Sequence, residues 1–203
     1  KHGVTVKTGA EVTGWLLEGS RPVGVQTAQG DFRAREIVLA MGAWTPLLAR
    51  ELGVRVPVQA GKGYSLTMDR PAVSPEIPFI HVERKVGVTP IGNYLRFAGT
   101  MEFAGIDLSL NPTRTKAIQR GGLEVISGAT NPSNVKHWCG LRPCTPDGLP
   151  IIDRLPHYPH IYLSTGHAML GYTHGPISGK LMAEMICGEP LSLSLDSLSL
   201  ARF

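Results

Sequence analysis

Trp138-Cys139-Gly140-Leu141-Arg142-Pro143-Cys144-Thr145-Pro146-Asp147-Gly148-Leu149-Pro150-Ile151-Ile152-Asp153 and, after a short apolar run, Thr165-Gly166-His167-Ala168-Met169-Leu170-Gly171-Tyr172-Thr173-His174-Gly175 are the stretches around which the sequence is organised. In the first, one arginine sits among glycines and prolines, a pattern that reads as a stiff loop. In the second, glycines lead into a helix pattern over 177–186. Ile177, Leu181, Met185 and Ile186 make one apolar stripe there, ended by Gly188 and Pro190. Between the two lies Ile161-Tyr162-Leu163-Ser164, a short strand. Loops dense in Gly and Pro are where backbone comes close to a ligand. Two of them flanking one strand predict a site for a ligand with an anionic part.

Upstream, the chain changes character twice. Val4-Thr5-Val6, the segment 11–18, Val23-Gly24-Val25-Gln26-Thr27 and Phe32-Arg33-Ala34 read as short strands of an antiparallel meander, bounded by Gly, Asp and Pro. Glu36-Ile37-Val38-Leu39-Ala40 is apolar throughout its interior, as expected of a strand in a parallel sheet buried on both faces. The following Met41-Gly42-Ala43-Trp44 lies where open α/β sheets bind ligands, and Thr45 is placed to cap a short helix over 46–52. From 56 to 135, runs at 58–60, 64–68, 80–82, 86–89, 94–98 and 100–103 predict an antiparallel sheet. Asn111-Pro112-Thr113 then opens a helix that ends near Gly121 or continues to Ile126. The fold class is therefore α/β, of the α+β kind.

The bulk numbers narrow the function classes. With 24 glycines and 16 prolines in 203 residues, short elements and many turns are expected. The net charge of +4 is mild, and the longest run of adjacent cations is Arg84-Lys85, which does not make a nucleic-acid stripe. Aromatic residues are 6% and are not interleaved with cations, so a stacking platform for single strands is excluded too. Cys139, Cys144 and Cys187 form no Cys-x-x-Cys pair, which fits a reducing compartment. The spacing of His157, His160 and Cys144 matches no metal site, so no metal is expected. No apolar run approaches the length of a membrane span.

On Gly140-Leu141-Arg142-Pro143, Thr145-Pro146-Asp147-Gly148-x-Pro150-Ile151-Ile152 and Gly166-His167-x-x-x-Gly171, the chain resembles the FAD-dependent D-amino-acid oxidase/dehydrogenase superfamily. It is most similar to the small subunit of D-amino-acid dehydrogenases and to glycine/sarcosine oxidases. The resemblance implies part of a Rossmann-like FAD-binding domain over 1–57, an antiparallel-sheet substrate domain over 58–135, and a return to the FAD-binding domain over 136–203. It implies oxidation of an amino acid, with a D-amino acid as the expected substrate, by hydride transfer from Cα to flavin N5. Oxygen or a quinone would be the electron acceptor. The expected location is the cytoplasm, with peripheral association at the inner face of the membrane as an option for the intact protein.

The same resemblance assigns candidate residues. Val12, Ala40, Gly42, Trp44, Gly140 and the run Gly166, His167, Ala168, Met169, Leu170, Gly171, Tyr172 and Thr173 would contact FAD. Arg142, Met101, Tyr64 and His167 would contact substrate, with Arg142 binding its carboxylate. Arginine suits that task because its planar fork makes two parallel hydrogen bonds to a carboxylate. A helix start suits the reduced flavin, because free N–H groups and the dipole stabilise negative charge. Each residue also has a plainer reading. Arg142 could sit at the surface or in an internal ion pair, Trp44 and Met101 could be core, and His167 could contribute backbone contacts only. His174 reads as structural, and Asp147 and Asp153 as turn chemistry rather than an acid–base pair.

A dinucleotide-binding domain carries G-x-G-x-x-G after its first strand, with an acidic residue about 20 positions on. The chain contains neither; Gly61-x-Gly63 lacks the third glycine and precedes no helix. The sequence is therefore expected to be a C-terminal portion that binds FAD weakly or not at all alone. The rival expectation is a non-catalytic truncated module that needs an N-terminal FAD-binding partner.

Overall fold

The computed structural model describes residues 3–126, 132 and 134–203, and the chain divides into two units, Lys1–Val58 with Thr145–Phe203, and Gln59–Cys144. In the first unit the predicted meander forms from β1 (Val12–Glu18), β2 (Arg21–Thr27) and β3 (Gly30–Arg33), paired antiparallel in sequence order. Residues 4–6 form no strand, and Val4 and Val6 are exposed. After β4 (Ile37–Leu39) come a 3-10 turn, Gly42–Trp44, and α1 (Thr45–Glu51).

The second unit holds β5 (Gln59–Asp69), β6 (Phe79–His81), β7 (Val86–Ile91), β8 (Tyr94–Glu102), α2 (Pro112–Leu123) and β9 (Lys136–Cys144). The chain then returns to the first unit with β10 (Ile151–Leu155), β11 (Tyr158–Thr165) and α3 (Gly171–Cys187). There β11 runs antiparallel to β10 and parallel to β4, so the sheet order is β10-β11-β4. Ile151, Leu155, Ile161, Leu163 and Leu39 pack with Trp15 and Leu48, and the Trp15 indole N–H donates to the Leu48 carbonyl at 2.9 Å. Ile152 and Tyr162 meet Leu181 and Met182 of α3.

Two local expectations fail here. Val38 is 39% exposed, so β4 is not buried on both faces among the described residues. Thr45 does not cap α1: Trp44 holds that position, and the buried Thr45 hydroxyl has no hydrogen-bond partner among the described residues. The helix α3 starts six residues before the predicted 177, because the glycine-rich run itself takes up helical geometry. Gly188, at φ +69°, closes it as expected of a left-handed cap.

The C-terminal segment is tied down by three carboxylates. Glu184 accepts from the backbone N–H and the hydroxyl of Ser192. Asp153 accepts from the Ser199 hydroxyl and the Leu200 N–H at 2.7 Å each. Asp147 accepts two bonds from the Arg202 guanidinium, at 2.7 and 3.2 Å, and one from the Leu149 N–H within its own turn. Arg202 holds the Asp147 carboxyl down at about 2.

The second unit is one antiparallel sheet, β6-β7-β8-β5-β9, with α2 on one face. Asn111 caps α2 by accepting from the N–H groups of Thr113 and Arg114, and the helix continues through Gly121-Gly122. Those glycines are a packing requirement: a Cβ on Gly122 would lie 2.5 Å from the Phe97 ring. The runs predicted at 58–60 and 64–68 are a single strand, β5, and those at 94–98 and 100–103 are a single strand, β8. A bulge in β8 explains the apparent break: Lys62 pairs with Glu102 and Tyr64 with Gly99, so Thr100 and Met101 together oppose Gly63.

The largest difference concerns Gly140-Leu141-Arg142-Pro143, read from sequence as a loop. It lies inside β9, which pairs with β5 from Gln59↔Cys144 to Thr67↔Lys136. Pro143 is tolerated because β9 is an edge strand. Segment 136–144 therefore belongs with the unit containing β5, not with the segment that follows it. Residues 127–131 and 133, within the span predicted as 58–135, lie outside the described residues.

Candidate active site

Side chains alternate across a strand, so β5 presents two different faces. Tyr64, Leu66 and Met68 point toward α2 and fill the core. Gly61 and Gly63 point the other way, where a Cβ on Gly61 would meet Met101 Sδ at 2.5 Å and one on Gly63 would meet Arg142 Nη1 at 2.0 Å. The Arg142 guanidinium thus lies flat on the backbone of Gly63, in space that only a glycine leaves open. Its Nη1 donates to the Thr100 carbonyl at 3.2 Å and lies 3.9 Å from Met101 Sδ. Thr100 has φ +69°, a left-handed backbone rare for a non-glycine residue, at the bulge in β8. Arg142 makes no salt bridge with a carboxylate among the described residues, so the internal ion pair is not what the fold builds.

Tyr64 is on the wrong side of the strand to join Arg142. Its ring is buried toward α2, and its hydroxyl donates to Glu102 at 2.8 Å. Burial and the Glu102 carboxylate both raise its pKa. Beside it the buried Lys62 ammonium donates to Asp107 at 2.7 Å and lies 5.4 Å from the Tyr64 ring centre. Lys62 holds the Asp107 carboxyl down at about 2. Gly140 is not open backbone either: a Cβ there would lie 2.2 Å from the Trp138 indole.

In the first unit, the ends of the parallel strands β4 and β11 bring two predicted segments together. The Thr165 hydroxyl donates to the Gly42 carbonyl at 2.9 Å, joining the Ala40–Trp44 segment to the glycine-rich run. Ligands of open α/β sheets bind at this edge of the strands. Gly166, at φ +81°, and Ala168, at φ +46°, turn the chain into α3. The first turn of α3 has no side-chain cap and no acidic residue, and Met169, Leu170 and Tyr172 around it are exposed. Pro176 lacks the N–H that would have bonded to the Tyr172 carbonyl.

His167 reaches back over this turn, with Nε2 2.9 Å from the Ser178 hydroxyl. Desolvation, with a smaller contribution from His174, lowers its pKa and favours the neutral ring. Val12 lies in the other sheet of the unit, packed against the core that contains Leu39.

Sequence reasoning missed Gly61, Gly63, Thr100 and Trp138. The signal for three of them was period two: Trp138, Gly140 and Arg142 occupy every second position of a strand, opposite Ser65, Gly63 and Gly61. Reading 135–138 as a strand but 140–143 as a loop hid that pattern. The resemblance marks the Gly99-Thr100-Met101 strand, but nothing in the sequence marks the left-handed conformation of Thr100, which follows from the bulge.

The comparisons agree with this architecture. The chain is 36% identical over 203 residues to a D-amino acid dehydrogenase of Paramagnetospirillum magneticum, covering 99% of this chain and 48% of that protein. It is 37% identical over 206 residues to a D-amino acid dehydrogenase of Xanthobacter autotrophicus, covering 100% of this chain and 49% of that protein. The chain thus spans about half the length of the curated relatives it matches. In fold it is similar to a glycine oxidase from Geobacillus kaustophilus, with TM-score 0.83, 24% identity, and 96% of this chain and 52% of that one covered. An iminodiacetate oxidase from Chelativorans gives TM-score 0.80 at 24% identity, with 94% of this chain and 52% of that one covered. The family model described as FAD dependent oxidoreductase matches residues 1–185. The chain belongs to the DAO family of FAD-dependent oxidoreductases.

Proposed function

We propose that this chain supplies the substrate-carboxylate clamp and a flavin-facing helix start of an FAD-dependent amino-acid oxidoreductase of the D-amino acid dehydrogenase kind. The observation that carries the reading is the Arg142 guanidinium, laid over Gly63 and anchored by a backbone carbonyl, with no carboxylate bridged to it among the described residues. Three of its five N–H donors, those on Nε and Nη2, have no hydrogen-bond partner among the described residues. A substrate carboxylate would complete it with charged, paired hydrogen bonds.

The residues present fit one part of FAD and not another. The uncapped start of α3, with Met169 and Leu170 exposed just before it, suits a group that gains negative charge. The diphosphate fingerprint G-x-G-x-x-G is not in this sequence. Bound FAD would supply a hydride acceptor for the substrate Cα. Arg142 would fix the carboxylate, and with it the direction of the Cα–H bond. The free N–H groups of Gly171, Tyr172 and Thr173 would stabilise developing negative charge. His167, neutral and hydrogen-bonded to Ser178, would hold the turn in place rather than move a proton. If the amine enters neutral, loss of the hydride would leave an iminium that water hydrolyses to a keto acid and ammonium, and no dedicated base is needed. Oxygen or a quinone would be the final electron acceptor.

The test is to complete the chain with the N-terminal half of the Paramagnetospirillum relative, load FAD, and follow flavin bleaching anaerobically with D-amino acids, glycine and sarcosine. Bleaching by a D-amino acid, with a raised KM in Arg142→Lys, is expected. Bound flavin that no amino acid bleaches would favour the non-catalytic module.

A further inference from the structure

We propose that Trp138 sets substrate specificity beside Arg142 and selects α-amino acids with an apolar side chain. The proposal rests on the reading of Arg142 as the carboxylate clamp. Gly63 and Gly140 are register partners, and directly opposed residues in an antiparallel pair have Cα atoms about 4.5–5.5 Å apart. The guanidinium occupies the Cβ space of Gly63, and the outer edge of the Trp138 indole occupies that of Gly140. Cation and indole edge therefore lie roughly one cross-strand spacing apart, about 5 Å. On the other side, Met101 Sδ fills the Cβ space of Gly61, joined there by Cys144 Sγ.

The site is one cation between two apolar walls on a floor of three glycines. None of the side chains lying over those glycines besides Arg142 is charged. The nearby cation of Lys62 points to the opposite face and is paired with Asp107. Over the three glycines a second carboxylate on the substrate meets no cation but Arg142; Lys136 and Arg96 share this face one row farther along, beyond Trp138. An aliphatic side chain finds the indole, which is 63% exposed and not engaged by the core. Gly63 and Gly140 are what allow both side chains to lie down; either Cβ would displace one of them.

The experiment uses non-oxidisable carboxylates and the 203-residue chain itself, so binding is read without flavin turnover. Acetate, 4-methylpentanoate and glutarate are titrated by calorimetry against the unsubstituted chain, Trp138→Ala, Trp138→Phe and Arg142→Lys. The expected result is 4-methylpentanoate binding about tenfold or more tighter than acetate, from apolar area placed against the indole. Trp138→Ala should abolish that preference while acetate affinity holds, and Trp138→Phe should restore most of it. Arg142→Lys should weaken all three probes together. Equal affinity for acetate and 4-methylpentanoate, with both weakened by Arg142→Lys, overturns the role of Trp138 and leaves the clamp standing. Glutarate binding tightest overturns the apolar class. No binding by any probe, or binding indifferent to Arg142→Lys, overturns the clamp and the specificity proposal with it.

Discussion

Substituting Gly63 by alanine tests the proposed clamp without touching the arginine. The new Cβ would lie 2.0 Å from Arg142 Nη1 and 2.4 Å from Cζ and Nη2. Comfortable contact begins near 3.5 Å, so the guanidinium must withdraw by about 1.5 Å. Its bond to the Thr100 carbonyl, already 3.2 Å, is lost in that movement. A substrate carboxylate would then meet a misplaced fork and lose charged hydrogen bonding of about 1.5–3 kcal/mol. At about 1.4 kcal/mol per decade, KM should rise roughly 10- to 150-fold in the FAD-loaded, completed enzyme.

Stability should change little, because the displaced group is the far end of a flexible side chain on the face away from α2. Alanine is also worth about 0.5–1 kcal/mol over glycine within a strand. Steady-state kinetics and thermal melting read the two effects separately. In Arg142→Ala the further Gly63→Ala change should have no kinetic effect, since the pair acts as a unit. An unchanged KM in Gly63→Ala refutes the reasoning, and so does a kinetic loss that persists without the arginine.

Other outcomes follow from the same coordinates. Gly122→Ala puts a Cβ 2.5 Å from the buried Phe97 ring, which has no room to move, and should cost about 1–3 kcal/mol in urea unfolding. Asp147 titrates at about 2 in the fold because of Arg202, against about 3.9 when unfolded. Its stabilising contribution is complete above the unfolded value and is lost as pH falls from there through 2. Melting temperatures across acid pH should therefore show a step that Asp147→Asn removes. The pKa of His167 is lowered by desolvation, so its ring should titrate below the ordinary imidazole value near 6.5 by NMR. Stability from this group is complete above that value and falls as pH drops through it toward the folded value. Ser178→Ala, which removes the hydroxyl 2.9 Å from Nε2, should shift that titration.

Much of the molecule was legible in the residues. The meander, the antiparallel sheet, the Asn111 cap and the Gly188 stop are local signals, in which spacing and turn chemistry act within a few positions of themselves. The motifs around Arg142 and Gly166 were enough to indicate the family, because such patterns record chemistry rather than packing. The site was legible only in outline. Arg142 could be singled out, but not the strand that carries it, since Gly and Pro read as a loop until a partner strand supplies hydrogen bonds. Tyr64 could be singled out too, but not which face of β5 it takes.

Sequence alone determined the family and most of the order of elements, and it singled out Arg142, since each depends on residue types and their spacing. Tertiary structure alone decided that Gly61, Gly63 and Gly140 form a floor, that Thr100 turns its carbonyl to the guanidinium, and that Trp138 lies beside it. Trp138 is four positions from Arg142 on one strand, but the relations of Gly61, Gly63 and Thr100 to the arginine hold between residues tens of positions apart. Only the register of β8, β5 and β9 brings them into contact, because a shift of one residue would send every one of these side chains to the opposite face.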